Sequence, residues 1–287
     1  MKAMVFPGQG SQEVGMGGEL FDEFVDYVRV ADDILGYSIK ELCLVDPNNV
    51  LSKTQYTQPA LYVVNALHYL KSKQELSEKV DFYAGHSLGE YTALFASGAF
   101  SFETGLRLVK KRGELMSTAK NGVMAAVIGL DKVQIHDVLK TNSLNNIDVA
   151  NYNGPVQTII SGLLHDIEFA KSAFEARGAK FIKLPVSAAF HSRYMKTIEA
   201  AFGHYLQQFT FGSLSVPVIS NVTAKPYQAD SIAENLTKQI SSPVHWVDSI
   251  SYINATDQCD FEEVGPGNVL SKLISSISNK ENNKEVA

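Results

Sequence analysis

Ser87 lies in Gly85-His86-Ser87-Leu88-Gly89-Glu90, a Gly-x-Ser-x-Gly pattern able to present a serine nucleophile. Such a serine attacks acyl carbonyls, and it needs a base to take its proton. The chain has seven histidines. His68 and His204 sit among helical surface or packing residues, and His136 and His165 fall in a separate stretch. His86 adjoins Ser87, but neighbours in a tight turn point apart, so it reads as a packing residue. His191 and His245 remain as bases. His191 follows Ser187-Ala188-Ala189-Phe190, near a helix start and where two parts of the chain meet, a common place for a site. His245 is nearer the C-terminus, where an α/β-hydrolase keeps its base. Arg112 is the third residue of note. A buried guanidinium is costly unless it meets an anion, so an internal ion pair, a snorkelling arginine and a substrate carboxylate are the three readings.

The elements that must position these groups are legible. Residues 80–84 read as a strand, and Leu88, Tyr91, Leu94 and Phe95 follow at helical spacing. A turn so sharp leaves no room for side chains at Gly85 and Gly89, and sets Ser87 at a helix N-terminus. Residues 3–6 predict a first strand, broken by Pro7-Gly8-Gln9-Gly10-Ser11-Gln12. That loop lacks the Gly-Lys-Ser/Thr ending of a P-loop and the dinucleotide fingerprint, and reads as a tight turn whose amides approach something closely. Helices are predicted over 19–35, from 57 onward with Pro59 near the first turn, and over 102–119 with Ser101 as N-cap. In the last of these Leu108, Arg112 and Leu115/Met116 share a stripe, which puts Arg112 on or beside the apolar face.

From Gly122 the order becomes βαββαβ, through a strand at 180–185, which is the ferredoxin-like split arrangement. The expected fold is α/β: a hydrolase-like large domain over 1–121 plus 189–287, with a ferredoxin-like insertion over 122–188. Strands at 216–221 and 260–264, helices at 231–240 and after 245, and a frayed tail over 279–287 complete the chain. Composition fits one large domain with a smaller one: 287 residues, 45% hydrophobic and 20% charged. A net charge of −6 with no long basic tract argues against nucleic acid. No apolar stretch approaches membrane-spanning length, and the opening run is too short for a signal-peptide core. Cys43 and Cys259 form no metal pattern and fit reduced thiols in a cytoplasmic protein.

Taken together, Phe6-Pro7-Gly8-Gln9-Gly10-Ser11-Gln12, Thr57-Gln58-Pro59-Ala60, the serine motif, Lys111-Arg112-Gly113, Phe190-His191-Ser192 and Val264-Gly265-Pro266-Gly267 resemble malonyl-CoA:acyl-carrier-protein transacylases. The likeness runs from Met1 to about Ile277 and looks nearest to discrete acyltransferases serving polyketide synthases in trans. It implies Ser87 as nucleophile and His191 as base, with a main-chain carbonyl in place of a triad carboxylate; the matching position is His245, where many relatives have glutamine. It further implies the Gln9 and Leu88 amides as oxyanion hole, and Arg112 as partner of the malonyl carboxylate. Phe190 and Leu88 fit the malonyl pattern of acyl choice. The implied reaction is ping-pong: malonyl-CoA is the substrate, a carrier protein's phosphopantetheine thiol the acceptor, and no tightly bound cofactor or metal is needed.

Two rivals stand beside this reading. An acyl hydrolase of the same fold would share Ser87 and His191 but has no use for a buried Arg112. A non-catalytic carrier-binding module would have no reason to keep Ser87, His191, Gln9 and Arg112 together. Finally, Lys171, Arg177, Lys180, Lys183, Arg193 and Lys196 face only Glu175 in sequence, a run that is either a solvated face or a strip steering an acidic carrier.

Overall fold

A computed structural model describes residues 1–75, 78–186, 188–255 and 259–285, without the side chains of 229 and 280–285. Ser187, singled out above, and the last two residues of the expected tail lie outside the described residues.

The chain opens with β1 (Lys2–Phe6), then α1 (Leu20–Glu23), α2 (Val25–Leu35), α3 (Ile39–Leu44) and α4 (Thr54–Glu75). β2 (Phe82–Gly85), α5 (Gly89–Ala96) and α6 (Phe102–Ser117) follow. Next come β3 (Gly122–Ile128), α7 (Lys132–Thr141), β4 (Asp148–Gly154), β5 (Gln157–Leu163), α8 (Leu164–Glu175) and β6 (Lys180–Lys183). The chain closes with α9 (Lys196–Leu206), β7 (Val218–Ile219), α10 (Ile232–Gln239), α11 (Trp246–Asn254), β8 (Asp260–Glu263) and α12 (Val269–Glu285).

Among the described residues there are two sheets. The first is parallel, in the order β7-β2-β1-β8, with Val5 opposite Ala84 and Phe6 opposite Gly85. Both faces are covered, as a parallel sheet requires. Met4, Phe6 and Tyr83 face the cluster that holds α4, α5 and α6, while Ala3, Val5, Phe82 and Ala84 face Trp246, Ile250 and Leu273 of α11 and α12. The second sheet is antiparallel in the order β4-β5-β3-β6. Val123, Ala125 and Val127 pack under α7 and α8, whereas Met124 and Ala126 join the large cluster. Period-two alternation along one strand thus supplies both a small core and the seam against the larger one. We propose residues 122–188 as the inserted unit, because this sheet draws all its strands from that stretch.

Local details differ from the sequence reading for identifiable reasons. The helix expected over 19–35 is broken at Phe24, whose φ of −113° and ψ of 49° interrupt the ladder. The helix expected from 57 starts at Thr54, with Pro59 inside it, because Asp46 accepts from the Val50 and Leu51 amides at 2.8 and 3.0 Å and turns the chain earlier. The strand expected over 216–221 keeps two residues at the sheet edge; Asn221 leaves the ladder to bind the turn around Ser87. The predicted frayed tail is instead helical to Glu285.

Candidate active site

The turn between β2 and α5 is set by steric exclusion. A Cβ on Gly85 would lie 2.0 Å from the Gly89 carbonyl carbon, and one on Gly89 would lie 1.9 Å from the Phe6 oxygen. Ser87 takes a left-handed φ of +51°, costly for a residue with a Cβ. Two amide side chains brace it: Ser87 N–H donates to Asn221 Oδ1 at 2.7 Å, and its carbonyl accepts from Gln239 Nε2 at 2.9 Å. Asn221 Nδ2 also donates to the Gly85 carbonyl at 2.7 Å.

Ser87 Oγ lies 2.8 Å from His191 Nε2. His191 is also left-handed, at φ +56°, and only 4% exposed. Its Nδ1 lies 2.9 Å from the main-chain carbonyl of Gln239. An N–H there leaves Nε2 with a free lone pair toward the serine. The carbonyl is therefore not that of His245. Gln239 ends α10, where the last carbonyls have no intrahelical donor and are open to an outside N–H. His245 begins α11, and its carbonyl is taken by Ser249 N–H at 2.9 Å and Ser249 Oγ at 2.8 Å. The His245 ring stacks on Tyr152 and contacts Asp248. His86 turns away from Ser87 to Asn153 and Trp246. Burial, and then the Arg112 guanidinium, push the His191 pKa down to about 3.

Arg112 projects from the buried face of α6, whose Ser101 N-cap accepts from Thr104 N–H as expected. The side chain is 1% exposed. Nη1 donates to Gln58 Oε1 at 2.8 Å, and Nη2 to Gln239 Oε1 at 3.0 Å and Ser87 Oγ at 3.1 Å. Tyr91 covers the fork, its ring centre 5.5 Å from Cζ. No described carboxylate forms an ion pair with it. Its hydrogen bonds all go to neutral oxygens, and Glu90 acts on its charge only from beyond ion-pair distance, so the fork stands open directly beside Ser87. Such a fork suits a planar anion.

The first loop, which carries Gln9, meets the turn that carries Leu88 at Gly8. Asn65 Nδ2 pins that loop by donating to the Pro7 carbonyl at 2.9 Å. A Cβ on Gly8 would stand 2.3 Å from the His86 oxygen and 3.6 Å from the Leu88 nitrogen. Among the described residues neither the Gln9 nor the Leu88 N–H has an acceptor, so both remain available. Leu88 and Phe190 are buried in the large core cluster. A cavity of about 440 Å³ leads to His191 past Ile147, Val149, Tyr152, Arg193 and Pro243.

The sequence reading gave no role to Gln58, Glu90, Asn221 or Gln239. For Gln239 a signal existed: Ile232, Asn235, Leu236 and Gln239 are the buried residues of α10, at i, i+3, i+4 and i+7, so the amide ends an inward-facing stripe. Glu90 was visible as a carboxylate inside a helix otherwise rich in apolar and small residues. The basic run is not a free cationic strip. Lys171, Arg177, Lys183, Arg193 and Lys196 pair with Glu175, Asp137, Glu168, Asp148 and Glu199. Among the described residues, Lys180 alone of the run has no ion-pair partner. No cluster of three or more metal-ligating side chains occurs among the described residues.

The profile of the acyl transferase domain family matches residues 3–286. The chain is 56% identical over 284 residues to the polyketide biosynthesis malonyl CoA-acyl carrier protein transacylase BaeC of Bacillus velezensis, covering 98% of each. A crystal structure of malonyl CoA-acyl carrier protein transacylase from Burkholderia pseudomallei superposes with a TM-score of 0.95 at 46% identity, covering 98% of both chains. A malonyl-transacylase solved in complex with a type II polyketide synthase acyl-carrier protein superposes at 0.91 with 35% identity, covering 96% of this chain and 93% of that one.

Proposed function

We propose, since this chain belongs to the acyl transferase domain family, that it transfers a malonyl group from malonyl-CoA to the phosphopantetheine thiol of an acyl carrier protein. The observation that carries the acyl assignment is Arg112: a buried guanidinium with no ion-pair partner among the described residues, its Nη2 3.1 Å from Ser87 Oγ. A hydrolase for uncharged acyl groups has no use for that charge. The relatives named for polyketide biosynthesis support a carrier belonging to a polyketide synthase.

In the first half-reaction His191 Nε2 takes the Ser87 proton as Oγ bonds to the thioester carbonyl carbon. The developing oxyanion is met by the Gln9 and Leu88 amides. Collapse breaks the C–S bond, CoA leaves with the proton from His191, and malonyl-Ser87 remains. In the second, the carrier thiol gives its proton to His191, its sulfur attacks the ester carbonyl, and Ser87 leaves and is reprotonated. The Gln239 carbonyl holds the imidazole ring in place throughout, which replaces a triad carboxylate.

Substrate charge also acts on the base. Arg112 depresses the His191 pKa in the free protein. A malonyl carboxylate seated on the fork neutralises that cation and so makes His191 more basic when the correct acyl group is bound. No metal or tightly bound cofactor enters any step. No described helix is long and apolar enough to cross a membrane. A cytoplasmic location suits a CoA thioester substrate.

The test is trapping of acyl-serine by mass spectrometry with malonyl-CoA against acetyl-CoA. Malonyl-Ser87 forms faster, and Ser87→Ala abolishes it. Equal loading of both thioesters would promote the hydrolase. No covalent adduct with either would leave only the non-catalytic module.

A further inference from the structure

Glu90 is fully buried in the first turn of α5, one residue beyond the Gly89 packing contact. Its Oε1 accepts from Asn221 N–H at 3.0 Å and from Tyr227 Oη–H at 2.5 Å, and its Oε2 accepts from Gln239 Nε2. The carboxylate touches neither Ser87 Oγ nor His191. It binds instead the two residues that brace the Ser87 backbone, one on its N–H and one on its carbonyl.

An amide has fixed polarity. With Gln239 Nε2 claimed by Glu90 and by the Ser87 carbonyl, Oε1 has to point the other way, and there it accepts from Arg112 Nη2 at 3.0 Å. We infer that Glu90 is a positioning residue for acyl selection: its carboxylate orients the Gln239 amide, and the amide oxygen holds the Arg112 fork ready for the acyl carboxylate. This rests on the malonyl reading of Arg112 given above.

The consequences follow from donor and acceptor counting. Glu90→Gln keeps shape and volume. The introduced amide can keep one oxygen on Asn221 and Tyr227 only by turning its NH₂ onto Gln239 Nε2, donor against donor. Gln239 relieves this by flipping, which presents its own NH₂ to Arg112 and strips the Ser87 carbonyl of its partner. Protonating Glu90 has the same effect, because the carboxylic acid turns a donor toward Gln239. Burial pushes this carboxyl up to about 7, against the opposing pull of Tyr227, Asn221, Gln239 and Arg112. The titratable or charged groups facing it are Tyr227 from the segment after β7, Tyr91 on α5, Arg112 on α6 and, across Gln239, His191; Gln239 itself, on α10, is neutral.

The experiment measures kcat/KM for acyl-Ser87 formation with malonyl-CoA and acetyl-CoA between pH 6 and 8, on wild type, Glu90→Gln and Glu90→Asp. In wild type the malonyl-over-acetyl ratio rises with pH through about 7 as the carboxylate forms. Glu90→Gln lowers malonyl loading roughly tenfold more than acetyl loading, the difference lying mainly in KM, and makes the ratio independent of pH. Glu90→Asp, which keeps a carboxylate, retains part of the ratio and its pH dependence. A wild-type ratio that is flat from pH 6 to 8 overturns the inference without any variant having to fold. So does Glu90→Gln lowering both thioesters in proportion, the mark of a merely structural role. A wild type without malonyl preference at pH 8 would instead refute the reading of Arg112 itself.

Discussion

Arg112 and Ser87 share a hydrogen bond before any substrate arrives. Arg112→Ala removes the buried cation beside Ser87. Loss of a charge-assisted, two-point contact of about 3 kcal/mol cuts malonyl loading by roughly two powers of ten and leaves acetyl loading nearly unchanged. Steady-state rates with the two thioesters check this, and parallel losses would contradict it. His191 offers a second test. With its pKa near 3, it is neutral throughout the physiological range. Acetyl loading, which brings no carboxylate to Arg112, therefore shows no acid limb from His191 near the ordinary imidazole value of about 6.5. The same depression links to stability. Between about 3 and 6.5 the unfolded chain binds more protons at this histidine than the folded one, so its contribution is full above 6.5 and is lost as pH falls toward 3. His191→Ala flattens the rise of unfolding free energy with pH over that window in denaturant titrations; a steeper rise would contradict the assignment. His245→Ala, by contrast, leaves acylation mildly affected, because neither its ring nor its carbonyl bonds to His191.

At the scale of elements, the turn after β2 depends on the absence of two side chains. Gly85→Ala would drive a Cβ to within 2.0 Å of the Gly89 backbone, and both sides are main chain, which cannot yield. The expected cost exceeds about 3 kcal/mol, seen as a large fall in melting temperature or as insoluble protein. Ser101→Ala tests the other extreme. It removes only the N-cap of α6, costing about 1 kcal/mol while malonyl loading stays at the wild-type rate. Elements whose signals are local were legible in sequence: the stripe of α6, the strand before Ser87 and the βαββαβ order. The break at Phe24 and the two-residue length of β7 were not. The first is a change of dihedral without a glycine or proline to mark it, and the second follows from Asn221 being drawn to the turn around Ser87.

The site as a whole is assembled from pieces scattered along the chain: the first loop, α4, the turn before α5, α6, the crossing before α9, the end of β7 and the end of α10. The crossing carries Phe190 and His191 just after the second sheet, and His191 Nε2 reaches Ser87 beyond the end of β2 in the first. Carrier docking belongs to this scale. Because five of the six basic residues of the run pair with acids of the chain, Lys180 is the one of the run, among the described residues, on which steering of an acidic carrier can be tested. Lys180→Glu is expected to raise the KM for carrier protein by a fewfold, with a weaker salt dependence, and to leave loading from malonyl-CoA unchanged. Equal loss in both half-reactions would indicate misfolding rather than docking.

The sequence by itself determined the setting of Ser87, the odd placement of an arginine on an apolar helix face and the split order of the second sheet. These are written in glycine spacing and in periods of 3.6 and 2, which depend only on neighbours in the chain. Only the tertiary structure decided which carbonyl holds His191, and that Glu90 and Gln239 link the serine to the arginine. Those bonds join residues 48 to 152 positions apart, and Gln239 displaces His245 simply because a helix end, with its unclaimed carbonyl, arrives beside the imidazole. A hydrogen bond across such separations leaves no period in the sequence; it exists only once packing has brought the donor to the acceptor.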